Sequence, residues 1–178
     1  MKIMQSSFAL KANNYMKTLQ KVFNDSNMDA IEQMAKDLRE AWTEERQVFI
    51  CGNGGSAANA LHMANDFHYG IGGCVDSSTF SGLRVEALSS NTAVLTCLAN
   101  DTGYENIFSQ QLEVKSRSGD LLIALSGSGN SMNVIKALEK ASELGVKTFA
   151  ILAFTGGRCM DLAEVPIHFA INDMQIAE

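Results

Sequence analysis

The stretch "LLIALSGSGNSMNVIKALEKASELG", Leu121 to Gly145, changes texture twice within 25 residues. The apolar run Leu121 to Leu125 gives way to Ser-Gly-Ser-Gly-Asn-Ser, six residues without a bulky side chain. Helical spacing then resumes at Val134, Ile135, Leu138 and Ala141. A strand, a loop reduced to hydroxyls and bare backbone, and a helix follow one another with no room for anything else.

The same alternation extends to both sides. Strands are expected at 47–51, 83–88, 120–125, 147–153 and 165–171. Helices are expected between them, near 57–67, 92–98, 105–116, 132–144 and 159–163. Strands that alternate with helices imply a parallel sheet covered on both faces, an α/β three-layer sandwich of five strands. The stretch 70–82, "GIGGCVDSSTFSG", reads as an irregular loop. Before the first strand, Phe8, Ala12, Tyr15, Met16, Leu19, Val22 and Phe23 form one helical apolar stripe. Ile31, Met34, Ala35, Leu38 and Trp42 form a second, with Ser26 and Asp29 as a capping pair. These two helices, within 1–46, must bury their stripes on a partner subunit or on the chain's own sheet, formed by 47–178. No linker divides the 178 residues, so one domain is expected.

Composition narrows the function. Hydrophobic residues at 46% and charged residues at 19% describe a globular core rather than a disordered chain. A formal charge of −6 without a Lys/Arg cluster argues against nucleic acid as the main partner. Four scattered cysteines without a CxxC pair, and no secretory segment, suggest a reduced, cytoplasmic protein with no membrane span. Cys51 and Cys97 read as small buried hydrophobes.

Ligands of an open parallel sheet gather at the carboxyl ends of its strands. Two loops there have phosphate chemistry. The first is "CGNGGSAANALHMAND", whose glycines at 52, 54 and 55 permit tight turns and whose Ser56 is placed to cap a helix from Ala57. The second carries Ser126, Ser128 and Ser131 around Gly127, Gly129 and Asn130. Helix N-termini present unpaired N–H groups, and the hydroxyls add donors, so both loops suit a phosphate or carboxylate. Residues 52–57 also fit G-x-G-x-x-A, but Ser89, Ser90 and Asn91 stand where the acidic residue of a dinucleotide site is expected. No nucleotide cofactor is therefore expected. Glycine and serine also make ordinary strand-to-helix turns; two such loops at one edge favour a bound phosphorylated ligand.

His62 and Asp66 lie four residues apart on the helix after the first loop, hence on one face. An imidazole and a carboxylate together can ligate zinc or do acid–base work, although such a pair is more often an ordinary surface contact. His68 should point elsewhere. His168 lies in the apolar strand "VPIHFAI" and reads as a core or edge histidine.

Taken in order, "CGNGGSAANALHMAND", "LANDTGYENIFSQQL", "GDLLIALSGSGNSMNVIKAL" and "FTGG" resemble the sugar isomerase (SIS) domain family. Within it they are most similar to the phosphoheptose isomerases. The resemblance implies a five-stranded parallel sheet and conversion of D-sedoheptulose 7-phosphate to D-glycero-D-manno-heptose 7-phosphate, for surface-polysaccharide (lipopolysaccharide) heptose. It implies homotetramers with sites between subunits, and zinc in several members. By position it places Ser126, Gly127, Ser128 and Ser131 on the sugar phosphate, Asn53, Gly54 and Ser56 on the substrate, and Asp101 near the sugar hydroxyls. His62, Asp66 and Gln175 would be the metal ligands, the first two also catalytic.

Three departures stand out. Asp66 replaces the family's glutamate, one methylene longer. Gly70 falls where an arginine is expected. The sequence stops at Glu178, before the histidine that follows "QE" in the family, and the simplest expectation is a chain short of its last helix. The family glutamine aligns with Gln175 or, if "IQE" is placed on "IAE", with Ala177. An isomerase is the first expectation; a non-catalytic SIS regulator or assembly factor that grips a phosphosugar is the alternative.

Overall fold

The computed structural model describes residues 7–24, 27–70 and 82–177. Five strands form a parallel sheet in the order β2-β1-β3-β4-β5: β1 (Val48–Gly52), β2 (Val85–Ala87), β3 (Leu121–Ser126), β4 (Lys147–Leu152) and β5 (Val165–His168). β1 and β3 are buried along their whole length, which is why their sequences are continuous apolar runs.

Side chains alternate across the sheet and feed two cores. Phe49, Cys51, Leu122, Ala124, Ala150 and Leu152 face one way. There they meet α4 (Thr92–Thr102), α5 (Ser109–Lys115), α6 (Met132–Glu143) and α7 (Gly157–Leu162). Val48, Ile50, Leu121, Ile123, Leu125 and Phe149 face the other way, onto α2 (Met28–Thr43) and α3 (Gly55–Asn65). The expected three-layer α/β architecture is thus observed. A short α8 (Met174–Ala177) ends the described chain.

The two N-terminal stripes have different fates. Met34, Leu38, Ala41 and Trp42 of α2 pack on the sheet. α1 (Ser7–Asn24) buries no residue, and Phe8, Tyr15, Met16, Leu19 and Phe23 are exposed. Its described tie to the rest of the chain near the C-terminus is the Tyr15 hydroxyl, which donates to Asp173 Oδ1 at 3.0 Å.

Several local expectations are corrected. Asn27 caps α2, its Oδ1 accepting the Ala30 N–H at 3.4 Å, so Asp29 sits in the first turn; Ser26 lies outside the described residues. Ser56 does not cap α3: Gly54, with φ 57°, precedes a helix already begun at Gly55. That left-handed turn favours glycine. Cys97 is exposed, because the face of α4 that packs on the core is supplied by Leu95, Leu98 and Ala99. The helix expected over 57–67 ends at Asn65 and widens into a π turn, Asp66–Gly70. The helix expected over 105–116 is a 3-10 turn, Tyr104–Asn106, followed by α5. Of the loop expected over 70–82, residues 71–81 lie outside the described residues.

Leu138 is fully buried in α6, whereas Val114 on α5 is 85% exposed. Leu138→Ala should cost ~2–5 kcal/mol by denaturant unfolding, and Val114→Ala should stay within ~0.5 kcal/mol.

Candidate functional site

Parallel pairing fixes where the loops meet. Gly52 pairs with Leu125, and Ser126 with Leu152, so Asn53, Ser126 and Ala153 leave the sheet side by side. Ser126 is buried, and its hydroxyl oxygen accepts the Gly129 N–H at 3.2 Å. Ser128 Oγ accepts the Asn130 N–H at 3.3 Å. A hydroxyl that accepts a bond from backbone still has its own O–H to donate, so both serines keep a donor for an anion. Ser131 is the N-cap residue of α6, and its side chain makes no capping bond. The first-turn N–H groups of that 12-residue helix add positive potential.

The "FTGG" turn is the seat of this serine loop. Ala153 N–H donates to Gly127 O at 3.0 Å, and Cys159 N–H to Gly129 O at 2.9 Å. Arg158 N–H donates to Asn130 Oδ1 at 3.1 Å. Gly129 has φ 65°, and a Cβ there would drive into the Gly156 carbonyl oxygen. Only glycine meets both conditions, so the loop backbone lies directly against its neighbour.

A cavity of about 220 Å³ opens beside the loop. Ser56, His62, Ser126, Gly127 and Ala177 line it, so both phosphate-type loops, the imidazole of the helical pair and α8 converge. His62 Nε2 lies 3.4 Å from Asp66 Oδ2. Their side chains are 76% and 57% exposed, so this contact adds little stability by itself. The two supply an imidazole and a carboxylate, two of the three ligands a catalytic zinc usually takes from protein. No group of three His, Cys, Asp or Glu that could hold a metal exists among the described residues. Burial in the core pushes the Cys159 thiol up to about 11 and raises that of Cys51 as well.

Other expected residues lie apart. Gln175 is exposed on α8, while Ala177 reaches the cavity. Asp101 is exposed in the last turn of α4, where it accepts from Asn100 Nδ2 at 2.7 Å and from Cys97 Sγ at 3.5 Å. It lines neither hollow described here. Exposed His68 sits in the π turn. His168 ends the edge strand β5, its Nε2 3.0 Å from Phe154 O, as expected of an edge histidine.

A second hollow, about 590 Å³, is lined by Asn53, Tyr104, Ser131, Asn133 and Lys136. Asn53 and Asn133 exchange reciprocal amide hydrogen bonds of 2.8 Å, and the Tyr104 hydroxyl donates to Asn53 Oδ1 at 2.9 Å. Sequence reasoning missed Asn133 and Tyr104, although both lie inside quoted motifs.

The SIS domain family model matches residues 13–153. The chain belongs to the SIS domain family. A phosphoheptose isomerase of Chlorobaculum parvum is 42% identical over 148 residues, 82% of this chain and 69% of that relative. One from Aliarcobacter butzleri is 35% identical over 170 residues, 96% of this chain and 87% of the relative. Among solved structures, the phosphoheptose isomerase of Neisseria gonorrhoeae superposes with TM-score 0.84 at 27% identity, covering 98% of this SIS chain and 90% of that one.

Gly129→Ala should weaken binding of inorganic phosphate at least tenfold by calorimetry, since a φ 65° site costs an L-residue ~1–2 kcal/mol before the clash is counted. The circular dichroism of the sheet and helices should remain.

Proposed function

We propose that this SIS chain isomerises D-sedoheptulose 7-phosphate to D-glycero-D-manno-heptose 7-phosphate. The observation that carries the reading is the convergence of Ser126 and Gly127 of the serine loop with His62 on one cavity, the Asp66 carboxylate standing 3.4 Å behind the imidazole. Relatives named phosphoheptose isomerase, at 34–42% identity, support the substrate. The phosphate is held by Ser126, Ser128 and Ser131 with the start of α6, and Gly127 lets it approach the backbone. The carbon chain runs towards α3, past Asn53, Gly54 and Ser56.

Conversion of the ketose to the aldose moves one proton from C1 to C2 and one between the two oxygens. Asp66 takes the C1 proton, the electrons of that C–H bond form the C1–C2 double bond, and the C2 carbonyl oxygen becomes the second enediol oxygen. Returning a proton to C2 completes the aldehyde at C1. His62, within 3.4 Å of Asp66, shares the proton and shuttles between the oxygens. Zinc, if bound, would be held by His62 and Asp66 and would polarise the carbonyl; two donors do not complete its coordination, so no step is assigned to it.

The open pair needs cover, because an enediol survives best where water is excluded. We place that cover in association: the apolar stripe of α1 is offered to further copies, in a tetramer, with Asp101 and Gln175 contributing across subunits. A cytoplasmic role in heptose synthesis for surface polysaccharide fits this chemistry, and no helix among the described residues is long and apolar enough to cross a membrane. A non-catalytic regulator would need the serine loop, but gives no account of an imidazole at the same cavity with a carboxylate 3.4 Å from it.

Asp66→Asn should lower kcat at least a hundredfold, the low end for a lost general base, with substrate affinity changed only a few-fold. Wild-type binding without turnover, with and without added zinc, would leave the regulator. Zinc binding by dialysis should be lost in His62→Ala; no zinc on the wild type would remove the metal from the scheme. Leu19→Glu with Phe23→Glu should reduce the sedimenting mass, since both side chains belong to the exposed stripe.

A further inference from the structure

Asn133 is 2% exposed, so it offers little surface to a substrate, yet it bonds to a loop 80 residues away. Counting hydrogen bonds shows what it does there. The Asn53 amide has two acceptor sites and two donor hydrogens. Oδ1 accepts from Asn133 Nδ2 at 2.8 Å and from the Tyr104 hydroxyl at 2.9 Å, so its acceptor sites are filled. Nδ2 gives one hydrogen to Asn133 Oδ1 at 2.8 Å. One N–H remains.

We infer that Asn133 is a positioning residue, assisted by Tyr104, which locks Asn53 so that it can offer a ligand one N–H and no acceptor. Resting on the reading above, this makes Asn53 a reader of oxygen acceptors on the sugar: a carbonyl or enediolate oxygen, or a hydroxyl that donates elsewhere. An amide free to rotate would bind donor and acceptor alike. A locked one discriminates, and it loses little entropy when the ligand arrives. The lock also couples the two loops, because Asn53 follows β1 while Asn133 lies in the first turn of α6, two residues after Ser131. Tyr104, 59% exposed, closes the third side from the 3-10 turn.

The test is calorimetry with two probes, sedoheptulose 7-phosphate and inorganic phosphate, on the full chain and on Asn53→Ala, Asn133→Leu, their double variant and Tyr104→Phe. Leucine keeps the volume of Asn133 without its amide. Asn53→Ala and Asn133→Leu should each weaken the sugar phosphate roughly tenfold, and the double no more than either alone. Inorganic phosphate, held by the serine loop, should change less than about twofold. Tyr104→Phe should show a smaller loss for the sugar phosphate alone; being exposed, it carries the test if Asn133→Leu does not fold. Additive losses near a hundredfold would overturn the positioning role. So would equal weakening of both probes, which would mean that Asn133 merely supports α6, or an unchanged Tyr104→Phe. A loss in Asn53→Ala without one in Asn133→Leu removes the lock and leaves the site. No loss in Asn53→Ala removes Asn53 from the substrate, and both readings of that residue fall together.

Discussion

The parallel pairing of β1 with β3 is the constraint on which the rest depends. Val48 pairs with Leu121 and Gly52 with Leu125, without a bulge between. Loops that leave these strands therefore start level, at the same edge, about one strand spacing apart. A slip of one residue would turn every side chain of β3 to the wrong core, exchanging the Leu122 and Ala124 set for the Leu121, Ile123 and Leu125 set. Burial on both faces thus fixes the register, and the register delivers Asn53 and Ser126 to one place. The site is precise because the core is.

Loop packing then converts position into chemistry. The serine loop contacts its neighbour through backbone, with Gly129 against Gly156 and hydrogen bonds from Ala153 and Cys159. The Ser126 and Ser128 hydroxyl oxygens accept the Gly129 and Asn130 N–H groups, and each keeps its own O–H to donate. A loop of hydroxyls and N–H groups suits an anion without a fixed cation, in a chain of net charge −6.

Much of this was legible in the sequence for a physical reason: continuous apolar runs, glycine-serine turns and helical spacing are local patterns. The five strands, the serine loop and the pairing of His62 with Asp66 all follow from residues near one another in the chain. The failures are equally instructive. Asn133 looked like any polar residue at a helix start, and only a contact across 80 residues makes it buried and bonded. Cys97 sits among apolar neighbours, yet which face of α4 packs is decided by the sheet beneath it. Nothing in "DFHYG" announces a π turn, since no local residue pattern separates i+5 from i+4 bonding there.

That π turn bears on the shortened carboxylate. Asp66 is the residue at which α3 gives way to the wider turn, its N–H still bonded to the His62 and Met63 carbonyls. A π turn inserts one residue and rotates everything after it, and such turns recur at functional sites. Because Asp66 itself keeps α-helical angles, its side chain remains one helical turn above His62, in reach at 3.4 Å. His68 and Gly70 lie beyond the change of pitch. The helix therefore preserves the imidazole–carboxylate pair up to its last regular residue and reorients only the segment after it.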